Sequence, residues 1–360
     1  MNNPFINISE KGSKFIDTHC SINRLIIKKL PIYGIDDDIE GMNAKAIFST
    51  KTIVNEIRVI AAAHGIDVTN LYDSQIPVFL EEELKRPESE FYDGATKIIR
   101  KFGHRLGLIL LTLKTGLPEN RAIRNDWNDE HWEFYKNVKN IIIVGGLANG
   151  IFGEKLREYA MEVFELAKVE PYNLIFFENA SHFGVLGCAK MVRDTNSYNV
   201  VFDFGQTNIK RCIVKVEDDC VYTEKELENR PSWFMMDDIE DKEVLLGEAY
   251  KLHNNLMTVI ADTFRMAREN YKLGNDIVIS IASYTVDGIL NDVRGGYAKL
   301  TLLTPNYQEY LQEDLRKLLK RDVNIKLVHD GTAMAHYFSD YKDTVCFSIG
   351  TAFGVGFPDM

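Results

Sequence analysis

Residues 200–210 read Val-Val-Phe-Asp-Phe-Gly-Gln-Thr-Asn-Ile-Lys. An apolar strand runs into Asp203, a turn follows at Gly205, and a second strand leaves through Ile209 and Lys210. A tight turn between two strands exposes backbone N–H groups. Gly205 lets a phosphate approach the backbone, and Thr207 adds a hydroxyl donor. Asp203, at the strand end, can hold a magnesium ion through water. Gln206, Asn208 and Lys210 complete the candidate nucleotide-binding set of this turn. An ordinary hairpin turn would have the same pattern. More than half of the chain precedes it.

Outward from this turn the spacing predicts three close strands, at 199–205, 208–216 and 219–226. A long helix follows over 243–271, then a strand at 276–283, a helix at 308–320 and a strand at 324–330. A short helix at 332–338 and a hairpin at 344–349 and 352–357 end the chain. Upstream, helices are predicted at 51–64, 95–115, 152–168 and 182–193, with strands at 140–146 and 173–178. Strands that alternate with helices signal parallel β-α-β units. The stretch 118–139 is polar, holds Trp127 and Trp132, and reads as an insertion. Residues 81–90 are highly charged and read as surface.

Three further segments carry chemistry. Leu327-Val-His329-Asp330-Gly-Thr-Ala delivers Asp330 from a strand to a helix start. A carboxylate there can accept a proton from a bound hydroxyl or simply cap the helix. Phe347-Ser-Ile-Gly350-Thr351-Ala-Phe-Gly354-Val-Gly356 is a second glycine-rich turn between strands. Ile142-Ile-Val-Gly145-Gly146-Leu-Ala-Asn149-Gly150 ends a strand in two glycines ahead of a helix. Its spacing is not the G-x-G-x-x-G of a dinucleotide fold.

With 360 residues, 45% hydrophobic and 26% charged, the composition is that of a soluble two-domain protein. A formal net charge of −11 argues against nucleic acid or an anionic membrane as partner. The five cysteines are scattered and form no C-x-x-C pair. With no signal-peptide pattern at the N-terminus, they suggest a reducing cytoplasm. Asp36-Asp37-Asp38 reads as an exposed acidic turn.

Together the four segments resemble the motifs of the actin-like ATPase superfamily, whose fold is ribonuclease H-like. The match is closest to the hexokinases and to the ROK kinases (repressors, open reading frames and kinases). The turn at Asp203–Lys210 is similar to their first phosphate loop, and that at Gly350, Thr351 and Gly354 to their second. Gly145, Gly146 and Asn149 resemble the adenosine motif, and Asp330 the catalytic base. The family order runs phosphate 1, catalytic Asp, phosphate 2, adenosine. Here the adenosine motif comes first, which is a cyclic shift, and joining Met360 to Met1 would restore the usual order.

The resemblance implies a circularly permuted α/β protein of two domains, each a five-stranded mixed sheet flanked by helices. One would comprise residues 1–183 plus 343–360, with the adenosine site and the phosphate 2 hairpin. The other would comprise 184–342, with the phosphate 1 loop and Asp330. It implies ATP and Mg2+ as cofactors, a carbohydrate-like small molecule as substrate and phosphorylation of its hydroxyl. An ATPase or phosphatase using water, a non-catalytic sugar or nucleotide sensor, and assembly as a homodimer stay open. His329 stands where the family has Asn, and Tyr284 where it has Gly. His329, Asn306 and Asp287 are the candidate substrate contacts. Ser9-Glu10-Lys-Gly12-Ser13 only faintly echoes the family's Gly-Glu-x-Gly-His, so magnesium but no zinc is expected.

Overall fold

The computed structural model describes residues 2–177, 180–217, 220–236, 238–292 and 295–358. The expected junction of Met360 with Met1 therefore lies outside the described residues. The chain opens with a small antiparallel pair, β1 (Ile6–Ile8) and β2 (Lys14–Ile16). Six helices follow: α1 (Ala44–Ile47), α2 (Thr50–Ala63), α3 (Ile76–Leu84), α4 (Tyr92–Thr115), α5 (Pro118–Ile123) and α6 (Asp129–Asn137). The α4 helix buries a broad apolar face and ends at Gly116, whose φ of 51° is left-handed and suits a residue without Cβ.

Next come β3 (Asn140–Val144), α7 (Gly150–Ala167), β4 (Asn173–Phe176) and α8 (Phe183–Lys190). A three-strand meander is built from β5 (Tyr198–Phe204), β6 (Asn208–Glu217) and β7 (Cys220–Pro231). Then follow α9 (Lys242–Ala267), β8 (Leu273–Ile281), the short pair β9 (Thr285–Val286) and β10 (Ile289–Leu290), and α10 (Tyr307–Leu319). The chain finishes through β11 (Asn324–His329), α11 (Asp330–Tyr337), β12 (Thr344–Ile349) and β13 (Phe353–Gly356).

Two large sheets result, and the protein is a mixed α/β structure. The first has five strands in the order β11-β8-β5-β6-β7, with β11, β8 and β5 parallel. The second has four among the described residues, in the order β13-β12-β3-β4, with only β13 antiparallel. That is one strand fewer than the five expected, and β1 pairs with β2 instead. The reason lies at the free edge of β13. There the Asn23 amide donates to the Phe353 carbonyl at 2.7 Å and accepts from its N–H at 2.8 Å. A side chain that imitates a strand closes the edge to a further one.

The buried side chains fall into clusters that follow the sheets. One draws on residues from Phe5 to Phe183 and from Met334 to Phe357. Two others, on opposite faces of the five-stranded sheet, draw on Val185 to Ala333. The polar stretch 118–139 does not sit outside as an insertion. Its tryptophans are buried: Trp127 stacks on Tyr135 and meets Phe5 and Trp132 edge-on, because α6 turns Trp132, Phe134 and Tyr135 inward. Residues 81–90 are not wholly surface either, since Glu83 and Leu84 are buried at the end of α3. Asp36 is no free acidic turn but pairs with the buried Arg105 at 2.7 Å.

The chain ends meet. The Phe5 ring stacks on Phe357 with centroids 5.5 Å apart and planes 4° apart. They meet through rings, while β1 pairs with β2 and not with β13. Among the described residues, no helix is long and apolar enough to cross a membrane.

Two measurements follow. Phe5→Ala should cost about 3–5 kcal/mol in chemical denaturation, the usual loss for a fully buried phenylalanine. A chain rejoined from 358 to 2 by a short Gly/Ser linker and reopened between Asn196 and Ser197 should unfold in one cooperative thermal transition. Failure of that chain to fold would show that the closeness of the ends is incidental.

Candidate active site

Ligands of parallel sheets gather at the carboxyl ends of the strands. The candidate residues stand at those ends. On the first sheet, β5 ends in Phe204 before Gly205, β8 in Ile281 before Tyr284, and β11 in His329 before Asp330. On the second, β3 ends before Gly145 and β12 before Gly350.

Asp203 is held from two sides. The Ser280 hydroxyl donates to its Oδ1 at 2.7 Å, and the Lys210 ammonium lies 3.4 Å from Oδ2. Lys210 also donates to the Ser181 carbonyl at 2.6 Å. The turn beyond is tied down through the Gly205 carbonyl, which accepts from Ser232 Oγ at 2.7 Å and Tyr297 Oη at 2.9 Å. Gln206 is turned away from ligand, with its amide donating to the Ala282 carbonyl at 3.1 Å. Thr207 and Asn208 are exposed. Ser280, Ser232 and Tyr297 were not legible in the sequence. They lie 27 to 92 residues from their partners, and a strand serine or a loop tyrosine carries no local signal.

Asp330 begins α11. Its Oδ1 accepts from the Gly331 N–H at 2.7 Å and lies 3.1 Å from His329 Nε2. No described group bonds its Oδ2. About a third of the side chain stays accessible, 34%. Burial, and then the Asp203 carboxylate, push this carboxyl up to about 7, against a smaller opposing pull from the Gly331 N–H and Lys210. His329 is pushed down to about 4 by burial, against Asp292, so its imidazole is neutral at pH 7. Its ring stacks on Tyr284, centroids 4.3 Å apart.

Close backbone packing joins these parts. A Cβ on Gly184 of α8 would stand 2.7 Å from Asp203 Oδ2, and one on Gly187 would strike the Ala333 carbonyl of α11. A Cβ on Gly331 would strike the Val355 carbonyl of β13, and one on Gly145 the Ile349 carbonyl. Asp203, Asp330 and the β12–β13 turn are thus linked through α8 and α11, and Gly145 is joined to the end of β12.

An adenine nucleotide with magnesium fits this donor set. The backbone N–H groups of Gln206 and Thr207, and of Gly350, Thr351 and Ala352, meet no acceptor among the described residues. Space is open at Gly350 and Gly146, where an added Cβ would touch nothing within 4 Å. Asn149 precedes α7 with a buried Oδ1 that has no donor, an acceptor suited to an amino group. Gly354 instead packs against Ser348 Oγ inside the hairpin. Among the described residues no group of three or more His, Cys, Asp or Glu could hold a metal alone. Magnesium on a triphosphate takes most ligands from phosphate and water, so one carboxylate suffices.

The other two substrate candidates take part in local structure. The Asn306 side chain accepts from the Glu309 N–H at 3.2 Å and caps α10. Asp287 turns the β9–β10 hairpin with φ 51°, and hydroxyls of Ser9 and then Ser13 hold its carboxyl below the usual range. No described contact joins either residue to Asp330. No protein-family model matches the chain, and no curated protein matches it.

The elevated Asp330 carboxyl makes stability depend on pH. A folded value above the unfolded one, 3.8, means the native state holds the proton longer. Stability is therefore lost as pH rises from about 4 to about 7, and the loss is complete above that. Asp330→Asn should melt above the parent at pH 8, with the gap closing toward pH 4. A gap that does not change with pH would remove the shift.

Proposed function

We propose that this chain is a circularly permuted member of the actin-like ATPase superfamily that transfers phosphate from ATP to a hydroxyl of a carbohydrate-like substrate. The observation that carries this reading is the state of Asp330. One oxygen is fixed at the start of α11, the other has no hydrogen bond from another described residue, and the carboxyl is poised near neutrality beside Asp203 and Lys210. A general base works best when its affinity for the proton matches the working pH.

In this reading the acceptor hydroxyl lies against Oδ2 of Asp330, which takes its proton as the oxygen attacks. The N–H groups of the two glycine turns that meet no described acceptor would bind phosphate oxygens, Lys210 would add positive charge, and Asp203 would help to hold magnesium. ATP with magnesium, when bound, supplies the transferable phosphoryl group and offsets its negative charge. The rest of catalysis is positioning and charge stabilisation. The two-unit division, at 1–183 plus 343–360 and 184–342, belongs to the same proposal, and the cleft between the units would hold the nucleotide.

Release of ADP from MgATP across a panel of sugars and polyols tests the reading. A hydroxyl acceptor should speed it. Hydrolysis that no sugar accelerates would make water the acceptor, and no turnover at all would leave a binding protein. Asp330→Asn should bind ATP and lose about 10²–10⁴-fold in turnover. The parent's kcat/KM should fall as pH drops below about 7, where Asp330 takes up its proton. EDTA should abolish activity, and metal analysis of purified protein should find no stoichiometric zinc.

A further inference from the structure

His329 interrupts the family-like Asn-Asp pair, and its surroundings give it work other than touching a substrate. The side chain is 7% exposed. One face of the ring stacks on Tyr284 at an interplanar angle of 13°. The edge is pressed on the start of α11, where a Cβ at Gly331 would stand 2.7 Å from the imidazole Cε1. Tyr284 is anchored in turn, its Oη 3.3 Å from the thiol of the fully buried Cys20. A ring held on a face and an edge has little freedom to turn.

Its two nitrogens meet different surroundings. Nε2 lies 3.1 Å from Asp330 Oδ1. Nδ1 is buried and has no hydrogen-bond partner among the described residues. A proton on Nδ1 would bury an unsatisfied donor and set the Nε2 lone pair against a carboxylate oxygen. A proton on Nε2 avoids both penalties. Asp292 is the charged group that bears most on this ring, and burial keeps the imidazole neutral.

We infer that His329 is a positioning residue for Asp330: an imidazole, clamped by Tyr284 and Cys20, that sets its Nε2 edge beside Oδ1 and so leaves Oδ2 as the oxygen that meets the acceptor. This rests on Asp330 as the base. It gives Tyr284 and Cys20, from opposite halves of the sequence, a shared role in holding the base. The imidazole takes no part in proton transfer and does not need the acceptor to be present.

Two arms test this on the full chain. In the first, nitrogen-15 NMR of the histidines assigns the His329 tautomer without nucleotide. The expected result is a proton on Nε2 whose resonance moves in Asp330→Asn and holds its place in the distant variant Lys215→Gln. A proton on Nδ1, or an Nε2 resonance indifferent to Asp330→Asn, overturns the inference. This arm stands even if no phosphoryl transfer is found, so its failure and that of the proposed function can be told apart.

The second arm measures MgATP turnover with the best acceptor of the panel, or with water. His329→Phe keeps an aromatic ring against Tyr284 and removes the N–H. It should lower kcat about 10- to 100-fold while KM for the acceptor changes less than about threefold, as for a lost orienting contact. His329→Gln, which can present an amide N–H, should recover most of that loss, and Tyr284→Ala should lower kcat in the same sense. A His329→Phe enzyme with parental kcat and a raised acceptor KM would make His329 a substrate contact and overturn the inference.

Discussion

The two sheets are held together by backbone laid on backbone. Helix α11 lies between α8 and β13 with no side chain at the points of closest approach: Gly187 against the Ala333 carbonyl, Gly331 against Val355, and Gly356 against Gly331. Close-packed interiors transmit any added volume as strain, so a methyl group at these points would drive the sheets apart. Because α11 starts with Asp330, the same constraint fixes where that carboxyl stands. Asp203 is tied in from the other side, where Gly184 of α8 lets the helix lie on β5. The packing that joins the sheets is thus also the packing that sets the two carboxylates near each other.

That nearness explains the local electrostatics. Two carboxylates at the ends of β5 and β11, strands with β8 between them, repel, and only Lys210 among the described cations bears on both. The result is asymmetric. Asp203 has a hydroxyl and an ammonium within reach, while Asp330 has one backbone N–H and a neutral ring. Burial, and then the nearby Asp203 carboxylate, raise the proton affinity of Asp330. A group held in that state lowers stability at neutral pH, and such a group survives where the surrounding packing fixes it.

What was legible in the sequence was what is local. The turn at Gly205, the strand-to-helix step at Asp330, the hairpin at Gly350 and the Gly145-Gly146 strand end each carry their pattern within about ten residues, and each stands at a strand end. The meander and the β-α-β alternation were legible too, and the five strands of the first sheet were what the family resemblance implied. What was not legible was non-local. Nothing in the sequence around Asn23 shows that its amide will seal β13 and leave the second sheet with four strands. Trp127 and Trp132 sit among polar neighbours, and only the fold shows that α6 faces inward. Ser280 and Tyr297 reach the site from strands and loops that look ordinary. Asn306 and Asp287 were named from the family resemblance, and the local bonds they make, a cap on α10 and contacts with Ser9 and Ser13, carried no signal in the sequence.

The stack of Phe5 on Phe357 also sets an order of events during synthesis. The core that includes Phe5 to Phe183 also needs Met334 to Phe357, whereas the clusters of the five-stranded sheet draw on the contiguous stretch between. At about 5–20 residues per second, the ribosome leaves roughly 8–30 s between the emergence of α8 and that of β12. For that interval β3 has β4 on one side and nothing on the other, since its second neighbour is β12. Its Ile-Ile-Ile run would stand at an open sheet edge, the kind of surface that recruits other chains. The half made first is therefore the half that finishes last.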